Sequence, residues 1–265
     1  MVSAMWGGRW EIRWFDEVDS TNTYVADLAR HGAPEGLVAV ADHQTAGRGR
    51  LDRRWESPAG ANLLASVLLR PVLAESEIHL CTAAVALAAA DACSVVAGIE
   101  PVVKWPNDLL AGPDEAKLAG VLAETEFSGA TLAAVVVGIG INVAWPGPPG
   151  VGGTSLDDLR ALSAASEPAP SSTPPPVDRR QLLDEMLAGL AGRRERLDDE
   201  NGRRRLADEL RERCATLGQT VRVVLAGEEF IGRATAIDEA GCLVVETDTG
   251  TRTVSTGDVV HVRSA

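Results

Sequence analysis

The chain has 265 residues, of which 45% are hydrophobic and 24% are charged, and its formal net charge is −13. This composition is typical of a globular protein with one large domain and room for a smaller one. The acidic charge argues against general nucleic-acid binding. Four scattered cysteines without a CxxC pair, and the lack of an uninterrupted apolar run of about 18 residues, lead us to expect no disulfide, no zinc site, no membrane span and a cytoplasmic location.

The first part of the chain predicts strands and a helix separated by polar loops. Residues 10–18 predict a strand, which is followed by the small polar run Asp19-Ser20-Thr21-Asn22. Asp19 or Ser20 can cap a helix that ends at Gly32. Four such residues exceed what a cap requires, and they can also present hydroxyl and amide groups to a polar ligand. Residues 37–42 then predict a strand that leads to Gln44.

The stretch 45–56 alternates glycine with arginine and ends near a tryptophan. Glycines allow the backbone to approach a ligand closely, and arginines offer forked donors that suit carboxylate and phosphate oxygens. A tryptophan can stack on a base. We interpret the stretch as an anion-binding loop, the alternative being an ordinary solvent-exposed loop. Its candidate ligand residues are Gly47, Arg48, Gly49, Arg50, Arg53 and Trp55.

Only two of the 25 basic residues are lysines, Lys104 and Lys117. Where arginine is otherwise used throughout, a remaining lysine indicates a need for a compact ammonium group. The alternative is that both lysines remain by chance. They flank Asn107 and Asp108, which follow Pro106 at a predicted turn.

The remaining elements predict a large α/β region and a small β region. Strands are expected at 61–70, 102–105, 109–111, 117–125 and 131–143. Helices are expected at 77–97, after an N-cap at Asp178, and at 203–216, where Gly218 would end the helix. The last of these strands carries glycines suited to close approach, followed by Asn142 near its end. Residues 146–176 are rich in Pro, Gly, Ser and Ala, and we expect most of them to form a mobile surface excursion, in which 154–162 could form a helical turn or two. After residue 218, four short strands predict an SH3-like barrel.

The basic residues suit one kind of chemistry. The chain has no GxxxxGK[ST] and no GxGxxG after a strand, so anion binding must use another arrangement. When a carboxylate attacks the α-phosphorus of ATP, two anions must approach, and fixed cations in an enclosed site favour that transition state. Asn107 and Asn142 can hydrogen-bond phosphate or ribose. A loop that orders over the product would protect a hydrolysable acyl-adenylate.

Five motifs in this chain together resemble those of biotin protein ligases. They occur in the family's order within residues 19–143: Asp-Ser20-Thr21-Asn22, Gln44-Thr-Ala-Gly47-Arg48-Gly49-Arg50, Lys104-Trp-Pro-Asn107-Asp108, Lys117-Leu-Ala-Gly120 and Gly138-Ile-Gly-Ile-Asn142-Val. The resemblance implies an α+β fold with a central mixed β-sheet, flanking helices and a C-terminal SH3-like barrel. It also implies a catalytic domain at 1–217 and a small domain at 218–265.

The resemblance further implies an AMP-forming ligase that uses biotin and Mg-ATP. Biotinyl-5′-AMP and pyrophosphate form first, and the biotinyl group then passes to a lysine of a biotin carboxyl carrier domain. Biotin would be held by Ser20, Thr21, Asn22, Gln44, Gly47, Arg48, Gly49, Arg50 and Lys117. ATP would be held by Arg50, Arg53, Trp55, Lys104, Asn107, Lys117 and Asn142. The catalytic groups would be Lys117, Arg48 and Asp108, with Asp108 as the base in the second step. The metal ligands stay open.

The chain departs from the family's loop at one position. Where the family loop often has glycine, this chain has Asp52, which would stiffen the loop and place a negative charge near phosphate.

Only 18 residues precede the first motif, too few for a helix-turn-helix, so we expect neither DNA binding nor repression. We expect a monomer or weak homodimer. The alternatives are a lipoate ligase of the same general fold and a non-catalytic biotin sensor or carrier.

Overall fold

The computed structural model describes residues 2–6, 9–166, 174–225, 227–255 and 257–262. Its first eight strands are β1 (Val2–Trp6), β2 (Trp10–Val18), β3 (Leu37–Gln44), β4 (Leu63–Leu69), β5 (Val102–Lys104), β6 (Asp108–Ala111), β7 (Ala116–Ser128) and β8 (Thr131–Ile141). They form one sheet in the order β1-β2-β3-β4-β8-β7-β6-β5. The β2–β3 pair is parallel and the other pairs are antiparallel, which confirms the predicted mixed sheet.

Helices bury both faces of this sheet. Helix α1 (Thr21–Arg30) packs on one face, while α2 (His79–Ala97), α4 (Arg179–Arg196) and α5 (Glu200–Glu212) pack on the other. Successive residues of a strand point to opposite faces. In β4, Val67 therefore joins the larger core and Leu68 joins the smaller one beneath α1, and neither is exposed.

Helix α2 is the centre of the larger core, as its alanine-rich sequence predicts. The stretch Glu75–Ala97, which includes a short 3₁₀ turn at Glu75–Glu77, is apolar and long enough to cross a membrane, but most of it is buried within the fold. Small side chains let helices approach closely: a Cβ added at Gly189 of α4 would lie 3.6 Å from the Cβ of Ala88. All four cysteines are free and buried.

The region 146–176 contains a longer helix than the turn or two predicted within it. Residues 156–165 form helix α3 (Leu156–Ala165), and its N-cap Ser155 accepts a hydrogen bond from Asp158 N at 3.2 Å. Ser155 and Leu156 are fully buried, and the backbone N–H of Leu156 donates to Asn142 O. Residues 167–173, also within the predicted excursion, lie outside the described residues. Proline and glycine content correctly predicted a loop at 146–153, and the helical turns expected at 154–162 are confirmed as part of α3. The burial of the start of this helix was not predicted.

The second corrected element is helix α5. It spans 200–212 rather than 203–216, because Asp199 caps it by accepting from Gly202 N at 2.7 Å. Gly218 has the positive φ expected of a glycine that ends a helix. It lies beyond the end of α5, in the turn that leads into the small domain.

Within the part of the chain that the structure describes, the C-terminal sheet has five antiparallel strands, one more than predicted. They are β9 (Thr220–Leu225), β10 (Glu228–Ile237), β11 (Leu243–Thr247), β12 (Gly250–Val254) and β13 (Asp258–His261), in the order β12-β11-β10-β9-β13. The unpredicted β13 is four residues long and pairs with β9. The barrel joins the larger sheet through Trp105, whose Nε1 donates to Gly241 O at 2.9 Å.

The α2 packing generates a stability prediction. Leu87 is completely buried, whereas Leu162 on α3 is 60% exposed. Leu87→Ala should lower the free energy of unfolding by about 2–5 kcal/mol, because the cavity it leaves adds to the lost burial. Leu162→Ala, the matched control, should stay within about 0.5 kcal/mol of the parent. Chemical denaturation measures both; equal losses would contradict the assignment of α2 to the core.

Candidate active site

A cavity of about 680 Å³ opens where β7 and β8 face residues 47–55. Among the described residues, five basic and three acidic side chains line it, so their net charge is opposite in sign to that of the whole chain. All the predicted site residues except Gly47 and Lys104 line this one cavity. Its basic members are Arg48, Arg50, Arg53, Arg54 and Lys117, and its acidic members are Glu56, Asp108 and Asp258.

Residues 47–55, here called the flap, fold back on themselves as a small hairpin. Trp55 N donates to Gly47 O at 3.0 Å, and Gly49 N donates to the backbone oxygen of Arg53 at 2.7 Å. At the tip, Leu51 and Asp52 have φ of 55° and 58°. Positive φ at both central residues is characteristic of a type I′ turn, which favours Asn-Gly. Aspartate tolerates this conformation, but leucine does so at a cost in backbone strain.

The flap is held against the small domain by its arginines. Arg50 donates to Gly257 O at 2.8 Å and to Asn107 Oδ1 at 2.9 Å, and Arg53 pairs with Asp258 at 2.5 Å. Burial lowers the pKa of Arg50, while Asp258 nearby acts to raise it. A partly desolvated guanidinium interacts strongly with an anion that enters beside it.

Trp55 lies across the floor of the cavity on two glycines. Gly120 of β7 and Gly140 of β8 are direct partners across the hairpin. A Cβ at Gly140 would lie 2.4 Å from the indole, and one at Gly120 would lie 3.0 Å from it. The glycines are therefore required for close approach of this ring, and Lys117 Nζ lies 5.7 Å from the ring centroid.

One end of the cavity is lined by hydroxyl and amide groups from α1 and β3. Ser20 is the N-cap of α1 and also faces the cavity, so the capping and ligand interpretations of this motif are compatible. Gln44 Oε1 accepts from Thr21 N at 2.8 Å and lies 3.1 Å from Thr21 Oγ1. Ser66, fully buried, places its hydroxyl 2.7 Å from Thr21 Oγ1.

Three predicted ligand asparagines have their amides engaged within the protein. Asn142 donates to the backbone oxygens of Pro146 and Thr154, at 3.1 Å each, and accepts from Asn62 at 3.3 Å. It thereby holds the loop after β8 against the cavity. Asn107 accepts from Arg50 and donates to Val121 O at 3.1 Å. Asn22 donates to Leu122 O and Glu124, and its Oδ1 lies 2.6 Å from the Ser66 hydroxyl.

The two lysines occupy different places. Lys117 lines the cavity, and its Nζ forms an ion pair with Asp108 Oδ1 at 2.7 Å. Lys104 lies on β5, opposite Asp108 in the β5–β6 register, and is not part of the lining. Gly47 is buried at the base of the flap, where a Cβ would meet Trp55 O at 2.3 Å. Its role there is to shape the flap.

Comparisons with known proteins match both parts of the chain. The biotin/lipoate A/B protein ligase family model matches residues 14–142, and the biotin protein ligase C terminal domain model matches residues 216–262. Biotin--[acetyl-CoA-carboxylase] ligase of Mycobacterium tuberculosis is 36% identical, over 97% of this chain and 91% of that protein. The chain belongs to the biotin protein ligase family.

Two further relatives extend the likeness. The bifunctional ligase/repressor BirA of Bacillus subtilis is 30% identical, over 92% of this chain and 72% of that protein. The structure of biotin protein ligase from Aquifex aeolicus in complex with biotin and ATP is 27% identical, with a TM-score of 0.75, over 96% of this chain and 99% of that one. As a biotin protein ligase, the chain is an enzyme with the expected two-part fold.

Two residues at or behind the cavity of this ligase lie outside the sequence motifs. Asp258 lies in the missed strand β13 and reaches the cavity from the small domain. Asn62 is not part of the lining; it is fully buried behind Asn142 and accepts from the backbone N–H groups of Val143 and Trp145 at 2.9 and 3.2 Å. An isolated asparagine or aspartate outside a motif is too common to single out. Among the described residues, no group of three or more His, Cys, Asp or Glu side chains could hold a metal ion.

The contact between Trp55 and the glycine floor generates a test of this geometry. Gly140→Ala should lower the free energy of unfolding by about 1–3 kcal/mol, because the added methyl group overlaps the indole. In a Trp55→Ala background the same substitution should cost little. Gly192→Ala on α4 is the control, since nothing lies within 4 Å of its added Cβ. Thermal unfolding of the double-mutant cycle measures this; an equal Gly140→Ala penalty in both backgrounds would contradict the stacking.

Proposed function

We propose that this ligase joins biotin to ATP as biotinyl-5′-AMP and passes the biotinyl group to one lysine of a biotin carboxyl carrier domain, such as that of an acyl-CoA carboxylase. The observation that carries the proposal is the convergence of a basic flap, a polar pocket end and Lys117 on one cavity. The named activity of the Mycobacterium tuberculosis relative and the biotin and ATP complex of the Aquifex aeolicus relative support it.

In the first step, a biotin carboxylate oxygen attacks the α-phosphorus of ATP and pyrophosphate leaves. Lys117, at the rim shared by the flap and β7, is suited to contact both the carboxylate and the α-phosphate. Arg48 and Arg50 supply further positive charge where the two anions meet. Preorganised cations in a partly enclosed site stabilise the charge that develops there. Ser20, Thr21 and Gln44 would orient the polar head of biotin.

In the second step, the carrier lysine amine attacks the acyl carbon, AMP leaves, and the amine loses a proton. Asp108 is the carboxylate placed to accept that proton, because it lines the cavity beside Lys117. Its ion pair with Lys117 also orients the ammonium group. The engaged amides of Asn22, Asn107 and Asn142 suit them to position these groups more than to contact ligand directly.

ATP would lie toward the small domain, beside Arg53 and Trp55. We infer that Mg²⁺ enters with ATP, because this ion is usually held by phosphate oxygens and only one or two carboxylates. Asp258 and Glu56 are the carboxylates that line this side. The assignment of Lys104 to ATP stays a prediction, since its strand lies beside the cavity wall rather than in it.

Transfer of labelled biotin to a purified carrier domain tests the proposed function. Labelling should require ATP and the acceptor lysine. Pyrophosphate–ATP exchange should depend on biotin and not on lipoate, because the C-terminal match is to a biotin protein ligase domain. Exchange with lipoate alone would favour the lipoate alternative, and biotin binding without any exchange would favour the non-catalytic sensor.

Absence of DNA binding stays a prediction, as do the monomeric or weakly dimeric state and the cytoplasmic location. The net charge of −13 favours weak interaction with nucleic acid. The Bacillus subtilis relative is named a bifunctional ligase/repressor, so DNA binding is the activity that distinguishes it from the present prediction. A sequence-specific shift of an operator fragment in a gel would contradict the prediction.

Lys117 provides a sharper prediction about chemistry. Lys117→Ala and Lys117→Arg should each reduce biotin-dependent pyrophosphate exchange by at least about 100-fold, because a guanidinium fork cannot replace a compact ammonium between two oxygens. Arg222→Lys, on strand β9 away from the cavity, should leave exchange unchanged. Normal turnover by Lys117→Arg would show that charge alone is sufficient, and normal turnover by Lys117→Ala would contradict the assignment.

A further inference from the structure

The rim of the cavity contains a carboxylate that the motifs do not include. Residues 120, 122 and 124 of β7 share one face of the strand, since alternate residues point the same way. Gly120 and Leu122 line the cavity, and Glu124 is the next residue on that face, just beyond the lining. Its side chain is 26% exposed.

Glu124 binds two groups that belong to different parts of the site. One carboxylate oxygen accepts a hydrogen bond from Asn22 Nδ2 at 2.8 Å. The other lies 2.8 Å from Nη1 of Arg48 on the flap. A single carboxylate therefore connects the first turn of α1, at the polar end of the cavity, with the cationic side chain that reaches over it.

The connection to Asn22 is rigid, and this fixes where Glu124 points. Asn22 is 4% exposed, and its other contacts are to Leu122 O and the buried hydroxyl of Ser66. Its amide rests against Gly138, where a Cβ would lie 2.1 Å from Asn22 Oδ1. Satisfied buried networks of this kind hold their members in one arrangement.

We propose that Glu124 is a positioning residue that sets the direction of the Arg48 guanidinium from the buried Asn22 network. This inference rests on the proposed function, because it concerns how Arg48 meets the biotin carboxylate. Arginine has five N–H donors. Glu124 engages one Arg48 nitrogen from the rim, and the rest of the fork stays available to an anion in the cavity. Because the Arg48 side chain is oriented before the substrate arrives, binding does not have to supply the entropy cost of ordering it.

Glu126 offers a matched control on the same strand face. It is 23% exposed and pairs with Arg30 of α1 at 3.4 Å rather than with the flap. Glu124→Gln keeps an oxygen that can accept from Asn22 but removes the charge that holds Arg48. Glu126→Gln removes an equivalent rim charge without touching either partner of Glu124.

The test is the biotin dependence of pyrophosphate–ATP exchange by the full chain. Glu124→Gln should raise the KM for biotin about fivefold, which corresponds to the largest effect usual for losing a solvent-accessible ion pair. Its kcat should stay within about twofold of the parent. Glu126→Gln should match the parent. Arg48→Gln/Glu124→Gln should be no worse than Arg48→Gln alone, because Glu124 acts through Arg48.

Two results would overturn the proposal: a parent-like KM for Glu124→Gln, or effects of Glu124→Gln and Arg48→Gln that multiply in the double variant. A changed melting temperature with an unchanged KM would indicate a structural role and would also overturn it. Failure of the proposed function looks different, because the parent protein itself would then show no biotin-dependent exchange.

Discussion

The contact of Trp55 with Gly120 and Gly140 fixes the flap to the sheet, and the rest of the site depends on it. A side chain larger than hydrogen at either glycine would move the indole away from the floor. With the ring in place, the arginines on the preceding hairpin reach the cavity, and Lys117 approaches from β7. An acidic chain thereby gathers positive charge at one point, where two anionic substrates would otherwise repel each other.

The small domain takes part in this arrangement. Gly257 O and Asp258 hold Arg50 and Arg53, so one wall of the cavity belongs to the terminal barrel. The turn at Leu51 and Asp52 adopts positive φ at two non-glycine residues. Contacts from both domains therefore hold a hairpin whose tip is not intrinsically favourable.

The sequence predicted the elements whose signals are local. The periodicity of residues 10–18 and the cap at Ser20 identified β2 and α1, and the alanine-rich composition identified the buried helix α2. The signals failed where tertiary packing decides. Leu156 is buried because Asn142 fixes the chain before it, and β13 forms because β9 offers a free edge. Neither cause is visible in the local residues.

At the candidate site, too, residue types in motifs were predictive, whereas the partners of each side chain depend on tertiary packing. All the predicted site residues except Gly47 and Lys104 lie at one cavity, and the three asparagines among them also form hydrogen bonds with other protein groups. An asparagine amide can form hydrogen bonds equally well with a protein group or with a ligand. Residue type alone therefore cannot tell a structural asparagine from a ligand-binding one. Glu124 and Asp258 matter through the partners that the fold gives them.

A crystal structure of the protein grown with biotin and ATP would show whether one cavity brings the two substrates together. Biotinyl-adenylate should lie in this cavity, with its acyl-phosphate group within hydrogen-bonding distance of both Arg48 and Lys117 and the flap closed over it. An adenylate bound outside the cavity, or bound within it while either cation points to solvent, would refute the proposed roles of Arg48 and Lys117.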